Sequence, residues 1–325
     1  MTYRHILDVD SLSKQEFLNL LGYGLSPLNV SLKGRLSAAL LFEKPSNRTR
    51  HSMETAINKL EGFSVYVRKD EVDIGQRESI EDVTRTLACY HSVIAARVFS
   101  HTTLIKMAEI LDLSGSSSSV VNLLSDYSHP QQAIADVLTI HSELKKRGVS
   151  FELSAGELES NKSIKVVYIG DFNNVTISLL KALTYLECSL VVCTPKGYGP
   201  SEDFIATHGE FAKNIVLSED IDTAVSNADV LYTDTWVSMG QEEHAKDKLK
   251  DFAGFGLNTE VMAKAKQTAI FMHCLPAHRG FEVTDELIDS SFSVVFQQAA
   301  MRQNAAIASL LWLFKDQNTG EVKWP

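Results

Sequence analysis

Short apolar runs rich in β-branched residues recur along the chain, and stretches with helical periodicity separate them. The runs in the first half cover residues 36–42, 64–68, 93–99 and 120–125. Those in the second half cover residues 164–170, 190–195, 229–234, 268–273 and 292–296. Strands that are apolar throughout and alternate with helices are typical of parallel sheets covered on both faces. The pattern therefore predicts an α/β protein.

A polar stretch divides this series of strands into two groups. Residues 141–163 contain no strand candidate, and we expect a long helix to enter this stretch. A chain of 325 residues is also long for one hydrophobic core. We predict two doubly wound domains, each with a central parallel sheet flanked by helices. The predicted domains are residues 1–145 and 146–302, with an apolar C-terminal helix, 303–325, that packs back on the first domain.

The segment Pro-Ser-Asn-Arg-Thr-Arg, residues 45–50, follows the first predicted strand and begins a helix. That helix has apolar residues at positions 53, 56, 57 and 60, which form one face, and Gly62 is expected to end it. The N–H groups of a first helical turn are unpaired, and the helix dipole is positive there. Hydroxyl and guanidinium groups at this point favour a phosphate or carboxylate site. The alternative is that Ser46 only caps the helix and the arginines form surface ion pairs.

Polar residues at other strand ends are further candidates, because ligands of open α/β sheets bind beyond the carboxyl ends of the strands. Arg97 lies near the end of an apolar strand, a costly position for a cation unless an anion or acid meets it. His129 and Gln132 follow the next strand, at the start of a helix. His129 could donate to an oxyanion, and Gln132 could bind an amide. The alternative for His129 is a hydrogen-bonded helix cap.

Strand ends in the second half add amide, carboxylate and hydroxyl groups. Residues 170–175 follow a strand but lack the glycines of a dinucleotide-binding turn, and Asn174 instead offers an amide at a helix start. Asp234 could bind an ammonium group. Ser238, together with the backbone at Met239, could bind a carboxylate. These strand ends therefore offer possible sites for an ammonium and for a carboxylate group.

Cys274 follows the strand at 268–273 and precedes a turn that contains proline. With His273 and His278 it suggests zinc, but adjacent His and Cys rarely bind one metal together, and no second cluster completes four ligands. A reactive cysteine, a turn that presents its backbone carbonyls, and a buried inert cysteine are the remaining interpretations. We therefore expect neither a metal nor a cofactor.

Composition and charge limit the kinds of molecule that the protein could bind. The chain is 44% hydrophobic and carries a formal net charge of -10, and this acidic balance argues against a nucleic-acid partner. No run of 18 apolar residues exists, so no membrane span is expected, and the first residues lack the pattern of a signal peptide. The four cysteines show no paired spacing, which fits a reducing compartment, so we expect a cytoplasmic protein.

Seven of these segments occur in the order in which the aspartate/ornithine transcarbamoylase family has them, and together they cover most of the chain. They are Pro-Ser-Asn-Arg-Thr-Arg at 45–50, Arg97 before Val-Phe, His-Pro-Gln-Gln at 129–132, Gly-Asp-Phe-Asn-Asn-Val at 170–175, Asp-Thr-Trp-Val-Ser-Met-Gly at 234–240, His-Cys-Leu-Pro-Ala-His-Arg-Gly at 273–280, and Arg302. The chain therefore resembles this family. The segments at 234–240 and 273–276 resemble its ornithine enzymes most closely.

The resemblance implies transfer of the carbamoyl group of carbamoyl phosphate to the δ-amine of L-ornithine, which gives L-citrulline and phosphate. It assigns carbamoyl phosphate to the domain 1–145 and ornithine to the domain 146–302. The residues that it assigns to the phosphate are Ser46, Asn47, Arg48, Thr49, Arg97 and Arg302. It also implies a homotrimer whose active sites are shared between subunits.

The resemblance also implies how the reacting groups are held. Thr49, Arg97 and His129 would surround the carbonyl oxygen and stabilise its developing charge. Gln132 and the backbone carbonyls of Cys274 and Leu275 would hold the carbamoyl NH2. Cys274 and Asp234 would help the amine lose its proton, and the leaving phosphate would take the other. The residues assigned to the α-amino and α-carboxylate groups of ornithine are Asn174, Asp234, Ser238 and Met239.

Three positions depart from the family pattern. Asn47 replaces a threonine, and residues 300–304, Ala-Met-Arg-Gln-Asn, replace Glu-Asn-Arg-x-His. Asp73 stands where family members have a glutamine that a neighbouring subunit lends to the phosphate, and a carboxylate near a dianion is repulsive. Three explanations are open: either Asp73 organises Arg48 or Arg77, or Gln76 substitutes for the missing glutamine, or phosphate binding is weak.

Two other functions remain open at this point. The chain could carbamoylate another amine, such as putrescine, lysine or an acylated ornithine, although Asp234 and Ser-Met-Gly favour an amino acid with free α groups. It could also be a catalytically reduced paralogue that only binds ligands or partner subunits, a hypothesis prompted by Asp73 and Met301. Retention of Arg48, Arg97 and His129 argues against this second alternative.

Overall fold

Parallel strands alternate with helices throughout the computed structural model, which describes residues 4–25, 32, 36–154, 156–237 and 245–314. The chain divides into two compact units. Unit 1 comprises the described residues up to Ala135 and from Ala300 onward, and unit 2 comprises Asp136–Ala299. The limits predicted from the sequence, after residues 145 and 302, lie a little further along the chain. Each division between the units falls inside a continuous helix, so no loop marks it in the sequence.

The strands of unit 1 are β1 (Ser37–Phe42), β2 (Phe63–Arg68), β3 (Val93–Arg97) and β4 (Ser119–Leu124). As far as the chain is described, they form one parallel sheet in the order β2-β1-β3-β4. Alternate residues of β1 enter different apolar clusters, Leu40 one and Leu41 the other. The sheet is therefore covered on both faces, as its continuous apolar strands predict. The chain leaves β1 for β2 on one side and returns as β3 on the other, so the order reverses between β1 and β3.

The helices of unit 1 follow the apolar periodicity of the sequence. In the second of them the apolar positions 53, 56 and 57 are buried, as their spacing predicts. Beyond that helix, Gly62 lies where a Cβ atom would be 2.6 Å from the carbonyl oxygen of Leu36, so only glycine fits without a backbone shift. The helices are α1 (Lys14–Leu25), α2 (Asn47–Lys59), α3 (Lys69–Val72), α4 (Ile80–Tyr90), α5 (His101–Ser114) and the start of α6 (Pro130–Lys146), which continues into unit 2. A 3-10 turn at Val9–Ser11 precedes them.

Unit 2 contains a second parallel sheet. Its strands are β5 (Val166–Ile169), β6 (Leu190–Cys193), β7 (Ile215–Ser218), β8 (Val230–Thr233) and β9 (Ile270–His273). Over the described residues their order is β7-β6-β5-β8-β9. The order reverses between β5 and β8, so both units have the topological switch point of doubly wound sheets. The α/β prediction with two such sheets is confirmed.

Helices flank the sheet of unit 2, and most of them are short. A capping box at Asn173 begins the helix after β5. The side chain of Asn173 accepts from the backbone N–H of Thr176, and the side chain of Thr176 accepts from the backbone N–H of Asn173. The helices are α7 (Asn174–Tyr185), α8 (Glu202–Thr207), α9 (Gly209–Ala212), α10 (Ile221–Val225), α11 (Ala245–Asp251), α12 (Thr259–Met262), α13 (Asp285–Ile288) and α14 (Val295–Phe314), with a 3-10 turn at Leu158–Ser163. α14 begins in unit 2 and continues into unit 1.

Two strand predictions differ from the structure. The run at 292–296 is not a strand, because Ser293 forms only an isolated bridge to Phe271 and Val295 already begins α14. A short apolar run alone does not distinguish a strand from a buried helix start. The sequence analysis also missed β7, an edge strand whose Val216 and Leu217 are exposed. In the described part of the chain, no helix combines the length and hydropathy that crossing a membrane requires.

Candidate active site

The switch point of unit 1 brings the end of β1 beside the end of β3. Phe42 pairs with Arg97 in the parallel register, so Arg97 lies at the edge where α2 begins. Ser46 is the N-cap of α2, and its hydroxyl accepts from the backbone N–H of Thr49 at 3.4 Å. A helix start and a buried guanidinium thus meet at the edge where doubly wound sheets bind ligands.

Arg97 is a cation inside apolar surroundings, with only 6% of its surface exposed. Its pKa is lowered to about 10, mainly by burial and in addition by the positive charges of Arg302 and Arg48. Its Nε atom is buried and has no hydrogen-bond partner among the described residues. A cation held under these conditions favours an anion as its partner.

Arg302 lies on α14, far from α2 in sequence, and is also buried. One of its terminal nitrogens donates to the hydroxyl oxygen of Thr49 at 3.2 Å, and the other donates to the side-chain oxygen of Gln132 on α6. Arg302 therefore links three helices of unit 1 around the end of β3. We call Ser46, Arg48, Thr49, Arg97, His129 and Arg302 the anion cradle.

His129 lies immediately before α6 with 5% of its surface exposed, and its carbonyl oxygen accepts from the backbone N–H of Gln132 at 3.0 Å. Burial lowers its pKa well below the ordinary value, and Arg302, Arg97 and Arg48 add to the shift because they repel an imidazolium. His129 is therefore a neutral imidazole at physiological pH. A neutral imidazole donates a hydrogen bond to a carbonyl oxygen without giving up a proton.

The two arginines of the segment at 45–50 have different surroundings. Arg50 pairs with Glu54 at 2.9 Å and stacks over the ring of Tyr66 at 3.9 Å. Arg48 contributes to the lowered pKa values of Arg97 and His129, so its charge lies close to the cradle. Arg50 therefore forms a structural ion pair, whereas Arg48 is the arginine of this segment that lies near the cradle. The side chain of Asn47 is exposed, so its backbone N–H is the more suitable group for a ligand.

The loop that contains Asp73 is held by backbone hydrogen bonds. Asp73 ends α3 with a φ of 41°, in the left-handed region. Its carbonyl oxygen accepts from the backbone N–H groups of Gln76 and Arg77, at 3.0 Å and 2.9 Å. The guanidinium of Arg77 donates to the carbonyl of Glu71. Asp73 therefore contacts Arg77 and Gln76 through its backbone.

The switch point of unit 2 assembles a second group of predicted residues. Ile169 of β5 pairs with Thr233 of β8, so α7, which begins at Asn174, and Asp234 follow neighbouring strands. Thr233 also pairs with His273 of β9, which places Cys274 beyond the same sheet edge. Ser238 and Met239 lie outside the described residues.

Asp234 and Cys274 are in contact and change each other's acidity. Burial raises the pKa of Asp234 above its ordinary value, while His273, the hydrogen bond with Cys274 and the N–H of Thr235 at 2.7 Å partly oppose the shift. Burial also raises the pKa of Cys274 well above its ordinary value, and the charge of Asp234 adds to the effect. Cys274 therefore remains a protonated thiol, which argues against a reactive thiolate.

The turn after β9 has an unusual backbone conformation. Leu275 has a φ of 58°, which is unfavourable for a residue other than glycine, so the surrounding contacts must hold it. Its N–H donates to Nδ1 of His273 at 2.9 Å. This geometry favours the interpretation of Cys274–Leu275 as a turn that offers carbonyl groups.

Asp234, His273 and Cys274 have ligand atoms that lie within 4.8 Å of one another, a spacing that could hold a metal ion. This set differs from the His273, Cys274 and His278 set of the sequence analysis, since His278 contacts Thr235 at 2.7 Å instead. Both ring nitrogens of His273 already have partners, Leu275 and Glu282. His273 would have to break one of these contacts to bind a metal.

Sequence reasoning missed several polar residues behind this turn. Tyr232 and Gln298 both donate to the buried carboxylate of Asp136, at 3.0 Å and 2.7 Å. Gln298 in turn accepts from the backbone N–H of His273 at 2.9 Å. Asp136 lies inside the apolar run 133–140, and a charge in such a run needs partners, so this signal was present in the sequence. Glu282 gave no comparable signal.

Comparison with known proteins identifies two domains of one family, which together cover most of the chain. The carbamoyl-P binding domain of aspartate/ornithine carbamoyltransferases matches residues 4–142. The Asp/Orn binding domain of aspartate/ornithine carbamoyltransferases matches residues 162–313. Every residue of the anion cradle, together with Asp234 and Cys274, falls inside one of these two ranges.

Individual relatives agree with these matches. The chain is 38% identical over 321 residues to an ornithine carbamoyltransferase of Caldicellulosiruptor saccharolyticus, covering 95% of this chain and 98% of the relative. It is 36% identical over 322 residues to one of Methanocaldococcus jannaschii, covering 96% and 99%. Among solved structures, ornithine carbamoyltransferase from Pyrococcus furiosus is similar with a TM-score of 0.83 and 38% identity, covering 96% of this chain and 97% of that one.

Proposed function

Because the chain belongs to the aspartate/ornithine carbamoyltransferase family, we propose that it transfers the carbamoyl group of carbamoyl phosphate to the δ-amine of L-ornithine. The products are L-citrulline and phosphate. The observation that carries the proposal is the anion cradle, in which three guanidinium groups and a neutral imidazole meet at one sheet edge of unit 1. In this proposal unit 1 binds carbamoyl phosphate and unit 2 binds ornithine.

The phosphate of the donor lies in the cradle, held by Arg48, Arg97 and Arg302. These cations repel one another when the cradle is empty, which is one cause of the lowered pKa of Arg97. A dianion relieves that repulsion, and charge-assisted hydrogen bonds to guanidinium groups are among the strongest in proteins. Ser46, Thr49 and the backbone at Asn47 add donors at the start of α2.

The carbonyl oxygen of the donor is polarised by Thr49, Arg97 and His129. Negative charge develops on this oxygen when the amine attacks the carbon, so donors placed there lower the barrier. The low pKa of His129 supports this role, because a neutral imidazole acts as a donor throughout the physiological range.

The carbamoyl NH2 donates to acceptors. In our proposal these are the side-chain oxygen of Gln132, which Arg302 orients, and the backbone carbonyls of Cys274 and Leu275. Such acceptors distinguish an NH2 from an oxygen and fix the plane of the carbamoyl group. Orienting both reactants can supply a large part of the rate enhancement.

Ornithine is held through its α-amino and α-carboxylate groups by Asn174, Asp234, Ser238 and Met239. The α-ammonium group restores the ionised form of Asp234, whose pKa burial raises. Cys274, a protonated thiol, donates to Asp234 and does not act as a base. Its role is to orient that carboxylate.

The chemistry balances without a covalent enzyme intermediate. The neutral δ-amine attacks the carbonyl carbon and forms a C–N bond. The C–O bond to phosphate then breaks, and its electron pair leaves with the phosphate. The proton lost from the nitrogen goes to the phosphate, which departs as hydrogen phosphate.

We also propose a homotrimer with shared active sites and a cytoplasmic location. Support for self-association comes from Phe63 and Val65 of the edge strand β2, which are 57% and 46% exposed. The four cysteines are free thiols, as a reducing compartment requires. Light scattering on the purified protein tests the trimer, and a monomer at micromolar concentration would contradict it.

A panel of amines tests the proposed function. Purified protein is incubated with carbamoyl phosphate and L-ornithine, putrescine, L-lysine or N-acetylornithine, and the carbamoylated product and phosphate are measured. We expect citrulline as the main product. A higher kcat/KM with another amine would assign that amine as the substrate, and no turnover with any amine would favour a binding protein.

A further inference from the structure

We propose that Glu282 is a positioning residue that acts through His273 to fix the Cys274–Leu275 turn. The inference rests on the proposed function, because that function gives the two backbone carbonyls of this turn their role. Glu282 and His273 are 0% and 1% exposed, and they lie 3.3 Å apart between Oε1 and Nε2. Neither residue has a part in the binding roles described above.

The hydrogen bonds determine which nitrogen of His273 carries the proton. The N–H of Leu275 donates to Nδ1, so Nδ1 must be the acceptor nitrogen. The proton of a neutral ring is then on Nε2, where it donates to Glu282. Glu282 thus holds His273 in the one tautomer that accepts from Leu275.

The hydrogen bond between Leu275 and His273 also affects the backbone conformation of the turn. Leu275 is in the left-handed region with a φ of 58°, a conformation that is unfavourable for a residue with a side chain. The bond from its N–H to His273 holds that conformation. If His273 changed tautomer, Nδ1 would become a donor and this bond would be lost.

Glu282 also contacts the backbone at His278, five residues after His273. Its Oε1 atom accepts from the backbone N–H of His278 as well as facing His273. Its second oxygen, Oε2, is buried and has no partner among the described residues. A buried carboxylate with only one engaged oxygen is costly, so its position calls for an explanation beyond packing. Holding both His273 and His278 with one oxygen supplies that explanation.

Gln298 supports His273 through its backbone. It accepts from the backbone N–H of His273 at 2.9 Å and donates to Asp136. The backbone of His273 is thus fixed by one partner and its ring by another. Glu282 is the side chain that faces Nε2 of the ring, which makes Glu282 the residue to test.

Two substitutions separate the reach of Glu282 from its charge. Glu282→Asp keeps the charge but withdraws the oxygen from His273 by one carbon–carbon bond. Glu282→Gln keeps the reach and an acceptor oxygen but removes the charge. Glu286→Asp and Glu286→Gln are matched controls at an exposed position of α13. We expect Glu282→Asp to lower kcat about 10- to 100-fold and Glu282→Gln to stay within about threefold of wild type.

Hydrogen exchange gives a readout that does not depend on activity. The Leu275 amide is protected in the wild type through its bond to a buried ring, and we expect Glu282→Asp to lose this protection within residues 273–282 while other segments keep theirs. The affinity for inorganic phosphate, which reports on unit 1, should stay unchanged. Wild-type protein that shows the protection but forms no citrulline would reject the proposed function while supporting this inference.

Three results would overturn the inference. Glu282→Asp could retain both wild-type kcat and protection of Leu275, or Glu282→Gln could be as damaging as Glu282→Asp, which would make charge the cause. Loss of protection across the whole of unit 2, with loss of folding, would show a role in stability alone.

Discussion

Arg302 donates a hydrogen bond to the hydroxyl oxygen of Thr49 at 3.2 Å, although 253 positions separate the two residues. The contact joins α14 to the first turn of α2 within unit 1. Arg302 also donates to Gln132 on α6. A single planar guanidinium therefore ties together three helices around the anion cradle, and five predictions follow from the charges and contacts there.

Arg302→Lys should impair the use of carbamoyl phosphate more than that of ornithine. An ammonium group cannot reproduce the two divergent donors that reach Thr49 and Gln132. We expect kcat/KM for carbamoyl phosphate to fall about 100-fold, a loss of roughly 2.7 kcal/mol of transition-state stabilisation. Steady-state kinetics with each substrate varied in turn checks this, and an equal rise in both KM values would contradict it.

Arg48 and Arg50 should respond differently to the same substitution. Arg48→Lys should lower kcat/KM at least tenfold, because its charge belongs to the cradle. Arg50→Lys should leave kcat/KM within about threefold, since its partners are Glu54 and Tyr66, and exposed pairs of this kind contribute about 0.2–1 kcal/mol. Parallel assays of the two variants provide the comparison. A larger loss for Arg50→Lys would reverse the assignment.

Inorganic phosphate should stabilise the protein by occupying the cradle. At a concentration 100 times its Kd, a ligand that binds only the folded state adds about 2.7 kcal/mol to the unfolding free energy. Thermal unfolding with and without phosphate, against potassium chloride of equal ionic strength, measures the effect. Arg97→Met should lose most of it, because the buried guanidinium is gone. Equal stabilisation of wild type and variant would place the bound phosphate elsewhere.

The folded protein should lose stability through His129 as the pH falls below about 6.5, the ordinary pKa of a histidine in the unfolded chain. The folded-state pKa lies well below that value, because burial and three arginines disfavour the charged ring. Between the two pKa values the unfolded state binds more protons, so stability rises with pH by at most ~1.4 kcal/mol per unit. Urea unfolding of wild type and His129→Gln checks the difference. Parallel pH curves for the two proteins would contradict it.

Asp73→Gln should lower the KM for carbamoyl phosphate. A carboxylate near the donor's phosphate is repulsive, whereas an amide offers a hydrogen bond. Asp73 contacts Gln76 and Arg77 through its backbone carbonyl, so the substitution should leave the loop intact. Initial rates at saturating ornithine test this, with Asp70→Gln on α3 as an exposed control. An unchanged or higher KM would mean that Asp73 does not face the phosphate.

Local signals in the sequence were sufficient for much of the fold and for part of the site. Continuous apolar runs predicted the two parallel sheets, and the helix start at Ser46 followed from its residue types. β7 was missed because its apolar run, Ile-Val-Leu, is only three residues long. The run at 292–296 was assigned to a strand because a buried helix start has the same composition.

Contacts between distant segments could not be predicted in the same way. Motif order placed Arg302 and Thr49 in one site, but neither periodicity nor spacing shows that they touch. The His273–Glu282 contact joins two buried residues through the geometry of a turn, and the tautomer of His273 depends on where its neighbours lie. Such properties arise from the folded backbone, so they require the structure.

The central claim is that the carbamoyl group held at the anion cradle passes to ornithine. Carbon-13 NMR of purified protein with [13C]carbamoyl phosphate and L-ornithine tests it most directly, because it follows the transferred carbon itself. We predict that the label appears in citrulline, with one phosphate released per citrulline, much faster than carbamoyl phosphate decomposes without enzyme. Release of phosphate without labelled citrulline, or no enzyme-dependent change, would contradict the account.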